Sequence, residues 1–309
     1  MILIDFSQFA RACLYASQLD SDADVNFMKH MIMTSIKNIN VKNRDQYGRV
    51  VICCDGGKYW RRDLFEHYKG KRRESRQKAS EHEKKIEAIF FRAKDELIEE
   101  LGENTPWFVI RVPKLEADDI IAILTQTEGR HLIVSSDHDF KQLHSQTVHQ
   151  LCPRSGKNVV AEDPQRYLFE HIMKGDTGDG IPNILSDSDT LMVDGKRQKP
   201  MKKTLIEEAW EHYQQQGDDA LRSFLNERCG EGAADNFFDR NRVLVDLQYA
   251  STDCEQTNEW KREIHRQMKQ QKEAYTGSSK LMKYLAKNKM DRLLDQLNDF
   301  SHQSPGALI

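Results

Sequence analysis

The chain has 309 residues and a formal net charge of −3, with 38% hydrophobic and 31% charged residues. That is enough for one large or two modest domains with a real core, at the polar end of globular composition. No apolar run is long enough to cross a membrane, and the net charge argues against a uniformly basic nucleic-acid binder, although the charges are unevenly placed.

The start, Ile2-Leu3-Ile4, is a short apolar strand running into Asp5, without the basic region and long apolar core of a signal peptide. Helical spacing of apolar positions predicts a helix over about 23–39. Arg49 to Cys54 reads as a second buried strand, ending at Asp55-Gly56-Gly57, and Trp107 to Val112 as a third. A helix from Glu116 to about Gln126 turns Ile120, Ile121 and Leu124 inward, and His131 to Val134 is a fourth strand ending in Ser135-Ser136-Asp137. Val148 to Cys152 is a candidate fifth. Strands alternating with helices predict an α/β fold with a mostly parallel central sheet flanked by helices. The six cysteines (Cys13, Cys53, Cys54, Cys152, Cys229, Cys254) show no metal-ligand spacing, so reduced thiols in a cytoplasmic protein are expected.

In parallel sheets, ligands collect at the carboxyl ends of the strands. Asp5, Asp55, the Glu116/Asp118/Asp119 group and the Asp137/Asp139 pair all fall just after predicted strands, so four segments deliver acids to one edge. One acid at a strand end is ordinary and solvated. Several packed together repel one another and call for a cation. An all-oxygen set suits Mg²⁺, with Mn²⁺ as a substitute. Two such ions can serve an in-line phosphoryl displacement, with no cysteine or serine nucleophile. The 11 histidines form no HxH or HExxH pattern, and His138, between two acids, reads as a bystander.

Between the second and third strands, residues 58–94 carry 13 basic side chains against six acidic ones. Arg61, Arg62, Lys69, Lys71, Arg72, Arg73 and Arg76 are interleaved with Tyr59, Trp60, Phe65 and Tyr68. A charge run is more often a solvated helical face, but cations that hold phosphates beside aromatics that stack on bases read as a nucleic-acid channel wall. The acids next to it need a phosphate substrate to make sense. The bottom-up reading is a metal-dependent phosphodiesterase acting on nucleic acid.

Asp163-Pro164 opens a helix reaching about Lys174. Asp176 and Asp179 then sit in the Gly-rich turn from Gly175 to Pro182, a weak signal by itself because Asp and Gly are ordinary turn residues. Residues 185–200 read as an irregular loop ending in basic residues up to Lys199, and a helix from Lys202 to about Gln214 offers free N–H groups to a phosphate. The remainder, about 218–300, reads as amphipathic helices, and Ser301 to Ile309 as a frayed tail. Asp299-Phe300, after Leu293, Leu294 and Leu297, matches a clamp-binding peptide loosely and the last turn of a packing helix better.

Asp5, Cys54-Asp55, Tyr68-Lys69-Gly70-Lys71-Arg72, Glu116-Ala117-Asp118-Asp119, Ser136-Asp137-His138-Asp139 and Gly175 to Pro182 occur in an order that resembles the 5′-nuclease (flap endonuclease) superfamily. The narrower resemblance is to the ribonucleases H of T-even-type bacteriophages, which are 5′→3′ exonucleases. Tyr59 to Asp63 and Lys199 to Thr204 (with Lys202 and Lys203) carry it, over about residues 1–250. The resemblance implies that Asp5, Asp55, Glu116, Asp118 and Asp137 surround a first metal, and that Asp119, Asp139, Asp176 and Asp179 serve a second. Lys69 and Arg72 would steer the scissile phosphate from a helical arch over residues 58–94, and about 165–212 would grip the duplex in a helix–turn–helix region.

The implied domains are an α/β catalytic domain, 1–160, and a helical duplex-binding domain, 161–309. The implied activity removes RNA primers and adjoining DNA and cuts 5′ flaps, leaving 5′ phosphates and 3′ hydroxyls. The implied partners are duplex DNA and RNA–DNA hybrid with a 5′ single-stranded end, with a replication clamp or single-strand-binding protein as candidate protein partners. A monomer in the host-cell cytoplasm is expected. Asn183-Ile184-Leu185-Ser186 leads into a long loop where many members have a Gly-x-Gly hairpin, so that hairpin's potassium site is not carried over. Nor are partner contacts made through the phage relatives' extension ahead of the first strand.

Three other readings rank lower. A PIN-type ribonuclease is shorter and lacks both the basic segment and the Gly175 turn. A non-catalytic nucleic-acid-binding scaffold on the same fold would have lost acids, and none of the set is missing. A small-molecule phosphohydrolase commonly has a second acid two residues after the first, and Asp5-Phe6-Ser7 does not.

Overall fold

A computed structural model describes residues 1–252 and 255–301. Six strands form one sheet in the order β3-β2-β1-β4-β5-β6. The strands are β1 Ile2–Asp5, β2 Val50–Cys54, β3 Phe108–Arg111, β4 His131–Val134, β5 Val148–Leu151 and β6 Asn158–Val159. The first five are parallel and β6 is antiparallel to β5, so the parallel sheet expected from the strand–helix alternation is present.

β1, β2 and β4 are short, largely apolar and buried on both faces, and the alternation of the strands divides two cores. Ile2, Ile4, Val50, Ile52 and Val134 face α1 (Phe6–Ser17), α2 (Val25–Tyr47) and α5 (Glu81–Asn104). Leu3, Val51, Cys53, Ile110 and Ile133 face α6 (Ala117–Thr125). Helix α1 follows Asp5 directly, and α2 runs eight residues beyond its expected end because its second half packs on the same core. Between β2 and α5 stand α3 (Trp60–Leu64) and α4 (Gly70–Lys78).

A third core joins Phe65 and Tyr68 to α7 (Pro164–Lys174), α8 (Lys203–Gln216), α9 (Asp218–Cys229) and α10 (Asp239–Val245). The last helices return to the sheet rather than extending this body. Trp260 and Ile264 of α11 (Glu255–Ala274) complete the α6 face, and α12 (Ser279–Lys287) and α13 (Asp291–Leu294) supply Leu281, Leu285 and Leu293 to the other. The cores therefore do not divide at residue 160.

β3 is a sheet edge, and α11 covers it. Gln271 accepts from Val109 N and donates to Val109 O, both at 2.7 Å, and Gln267 repeats this at Arg111 at 3.1 and 2.9 Å. Two glutamines one helical turn apart satisfy backbone groups that would otherwise invite another strand. Phe300 stacks on Trp107 and is 1% exposed, which makes it the packed last turn rather than a free clamp-binding peptide. The tail after Ser301 and Cys254 lie outside the described residues; the other five cysteines are unpaired thiols. Among the described residues, no helix is long and apolar enough to cross a membrane.

Candidate metal and nucleic-acid site

The parallel strands bring their acids to one edge. Asp5 closes β1, where it accepts from Ser135 Oγ at 2.9 Å and Gln8 N at 3.3 Å. Asp55 follows β2 and accepts from Ser7 Oγ at 2.5 Å and from Ala117 N, at the start of α6, at 3.0 Å. A Cβ on Gly56 would lie 1.8 Å from Val112 O, so only glycine lets the chain after β2 pass the turn after β3. Asp137 follows β4 and accepts from Asp139 N at 3.0 Å. Gln150, on β5, pins that turn by donating to Ser135 O at 2.9 Å and Asp137 O at 2.6 Å.

The Gly175–Pro182 turn, a weak signal in isolation, is docked on the arch side of this edge. Asp176 Oδ1 accepts from Gly178 N at 2.8 Å and Asp179 N at 3.2 Å, while Asp179 O accepts from Lys69 N at 2.7 Å. Gly180 has φ +79° and a Cβ there would lie 2.8 Å from His67 O, so a side chain would both strain the backbone and separate the two segments. Asp5, Asp55, Glu116, Asp118, Asp137, Asp139, Asp176 and Asp179 line one open cavity of about 1690 Å³, together with Tyr59, Arg62, Tyr68, Lys69, Arg72, Arg73 and Arg76. That exceeds the roughly 300–1,000 Å³ typical of small-molecule sites and suits a polymer.

Two electrostatic environments meet in this cavity. On the strand side, burial and the neighbouring Asp55 push Asp5 up to about 7. Burial with Asp5, Glu116 and Asp137 nearby raises Asp118 well above the usual carboxylate range. Burial with Asp137, Asp176 and Asp179 nearby raises Asp139 to about 8. Asp137 acts on both neighbourhoods, so the acids form two overlapping groups that share it. On the arch side, burial opposes ionisation of Glu116, but Lys69 and Arg61 outweigh it and hold its carboxyl below the ordinary value. Glu116 pairs with Lys69, accepts from Tyr68 OH at 2.6 Å and lies 3.2 Å from Arg61. Arg72 reaches Asp179 at 2.7 Å.

Buried carboxylates that resist ionisation singly, gathered with few cations on one side, fit hard divalent ions. The donor set of Asp5, Asp55, Asp118 and Asp137, carboxylate oxygens throughout, is the chemistry such ions prefer.

Several residues stand elsewhere than expected. Asp119 is 0% exposed and lies outside the cavity. It is held by Arg61 at 2.8 Å, Trp60 Nε1 at 3.1 Å and Glu116 N at 3.0 Å, which withdraws it from the metal set. Arg61, expected on the nucleic-acid path, is 1% exposed and fixed by Glu116, Asp119 and Leu244 O. The segment 58–94 is not a wholly projecting arch: Trp60, Phe65 and Tyr68 are buried, and from Ile89 onward α5 belongs to the sheet core. Its exposed part is α4 and the first turns of α5. Lys71, Lys199, Lys202 and Lys203 are exposed but lie outside the cavity, and His138 is exposed.

The sequence reading missed two α7 side chains. His171 Nδ1 lies 3.6 Å from Asp139 Oδ1, and ligand atoms of Asp139, His171 and Asp176 lie within 4.8 Å of one another. Tyr167, four residues earlier, faces the same acids. The i, i+4 spacing on the helix leading into Gly175 was the available signal.

Residues 1–170 match the family model of the 5′–3′ exonuclease N-terminal resolvase-like domain, and residues 164–300 match that of the C-terminal region of T4 RNase H. The ribonuclease H of Enterobacteria phage T4 is 33% identical over 261 residues, covering 80% of this chain and 81% of that protein. Among solved structures, the bacteriophage T5 5′-exonuclease with bound zinc aligns with a TM-score of 0.61 at 16% identity, over 87% of this chain and 99% of that one. The T5 flap endonuclease in a pseudo-enzyme–product complex with DNA and metal ions aligns with a TM-score of 0.59 at 17% identity, over 87% and 98%.

Proposed function

The chain belongs to the 5′–3′ exonuclease family, a family of nucleases, and from that premise we propose that it is a Mg²⁺-dependent 5′→3′ nuclease that removes RNA primers and adjoining DNA and cuts 5′ flaps in phage-type DNA replication. It acts as a monomer in the host-cell cytoplasm, with Mn²⁺ able to replace Mg²⁺. The observation that carries this reading is the juxtaposition, in one cavity, of uncompensated carboxylates and the cations Lys69 and Arg72.

Asp5, Asp55, Asp118 and Asp137 would hold one divalent ion, and Asp139, Asp176 and Asp179 a second, while Glu116, paired with Lys69 and Arg61, borders the first. Such ions supply activation of a water and neutralisation of charge on the leaving 3′ oxygen. The chain's own residues do the rest. Burial disfavours the charge on Lys69, but Glu116 and Asp179 outweigh it and keep the ammonium protonated, so Lys69 is a fixed positive charge and not a base. It lies 5.2 Å from the ring centre of Tyr59 and 5.1 Å from that of Tyr68, which hold it at the mouth of the acids. From there it and Arg72 would orient the scissile phosphate and take up charge as it builds. The exposed face of α4 would guide the 5′ strand, and Lys199, Lys202 and Lys203, at the start of α8, the duplex.

The test is cleavage of 5′-labelled duplexes whose recessed strand is RNA or DNA, in Mg²⁺ against EDTA, for wild type and Asp137→Asn. Short labelled products that need both the metal and Asp137 are expected. Tight duplex binding without cleavage in Mg²⁺ or Mn²⁺ would leave a binding protein on a nuclease fold.

A further inference from the structure

The acids explain a hard-ion site, but they do not explain His171. It is a nitrogen donor placed among them by α7, an element the catalytic sheet does not contain. Its side chain is 14% exposed, its Nδ1 is fully buried without a hydrogen-bond partner, and that nitrogen faces Asp139 Oδ1 at 3.6 Å. Tyr167 packs edge-on against the ring, centroids 5.9 Å apart. Asp139 is anchored through its own N–H on Asp137, and Asp176 through bonds from Gly178 N and Asp179 N, so the cluster is built from three separately fixed backbones. Ligand atoms of all three side chains lie within 4.8 Å of one another, close enough to close on a single ion with small rotamer changes.

We propose that His171 with Asp139 and Asp176 forms a mixed nitrogen–oxygen site that takes a borderline transition-metal ion, of the Co²⁺ or Zn²⁺ class, in preference to Mg²⁺. The proposal deepens the two-ion reading above and rests on it: the second ion position has an imidazole where the first has carboxylates alone. The chemistry follows from the donors. Mg²⁺ is hard and favours oxygen, whereas imidazole suits later first-row ions, whose affinity for nitrogen sites rises from Mn²⁺ through Co²⁺. A nuclease with one hard and one mixed position would favour different ions at the two.

Binding on the intact protein without nucleic acid tests this. Co²⁺ is titrated while its visible absorption is followed, together with the hyperfine-shifted exchangeable proton of a ligated imidazole in the proton NMR spectrum. The wild type should show one such proton. In His171→Ala it should disappear, and Co²⁺ affinity at that site should fall at least about tenfold while Mg²⁺ affinity changes by less than about twofold. His171→Asp should restore binding without the imidazole signal and shift preference toward Mg²⁺. Metal-free melting of both variants, matched to wild type, separates lost ligation from lost folding. Co²⁺ spectra and affinity indifferent to His171 would overturn the proposal, since the imidazole would then be no more than an ion-pair partner of Asp139. Cleavage in Mg²⁺ is scored on the same preparations. A wild type that binds Co²⁺ through His171 yet cuts nothing would sink the nuclease reading and leave this site standing.

Discussion

Glu116 and Asp118 stand two residues apart at the start of one helix, yet the fold treats them in opposite ways. Glu116 turns toward the arch, where Lys69, Arg61 and Tyr68 surround it and its charge is favoured. Asp118 turns toward the strands, where Asp5, Glu116 and Asp137 are its main neighbours and its charge is opposed. The arch side of the edge is neutralised from within by the chain's own cations. The strand side carries an unmet demand for positive charge. Structural ion pairs and a ligand site are thus built from the same residue type, and what separates them is the presence of an internal counter-charge.

The largest expected effect tests the arch side. Arg61→Met removes the cation between two buried acids and should cost about 3–5 kcal/mol of unfolding free energy, because it leaves Asp119 without a counter-cation while Glu116 keeps only Lys69. A urea denaturation series reads this, and a loss under about 1 kcal/mol would mean that Glu116 and Asp119 find other partners and that the comparison is overdrawn. Next is Lys69→Ala, which should lower kcat about 10²–10³-fold with little change in duplex affinity, since a fixed cation at the phosphate acts mainly in the transition state. Single-turnover cleavage alongside fluorescence-anisotropy binding separates the two, and a pure binding defect would take Lys69 away from the scissile phosphate.

Metal should matter on the other side. Mg²⁺ at a hundredfold excess over its dissociation constant should stabilise the wild type by about 2.7 kcal/mol per site. That gain should shrink in Asp118→Asn but persist in Lys69→Ala, as scanning calorimetry with and without EDTA would reveal. The smallest effect is the sharpest contrast. In EDTA near neutral pH, Asp118→Asn should raise stability by about 1 kcal/mol by removing a carboxyl whose ionisation the fold opposes, whereas Glu116→Gln should lower it by a similar amount. The Glu116 pKa is depressed on folding, so its stabilisation is complete above the ordinary glutamate value of 4.5 and is lost as pH falls below it. The deficit of Glu116→Gln should therefore narrow in acid. Equal signs for the two substitutions would erase the distinction between the two sides.

Asp5, Asp55 and Asp137 were legible as site residues because a strand ending in an acid is a local pattern, and a parallel sheet must align its carboxyl ends. Asp119 was legible as an acid but not as a structural one. Its withdrawal depends on Arg61 arriving from a segment that looks like a solvated basic face. Lys71 and Arg61 belong to the same charge run; one is exposed and the other is buried, and no local signal separates them. His171 was hidden for a related reason. It lies 32 residues from Asp139 in the chain, and no ligand motif joins them.

From the sequence alone come the sheet, its direction and the edge at which chemistry gathers, because alternation, strand length and acid placement act over a few residues. Tertiary structure alone decides which acids are neutralised. Whether a buried carboxylate is an ion-pair partner or a ligand depends on the charge nearest to it in space. Here that charge comes from Arg61 of α3, Lys69 just ahead of α4 and Arg72 of α4, which the chain brings to the edge only when the third core closes.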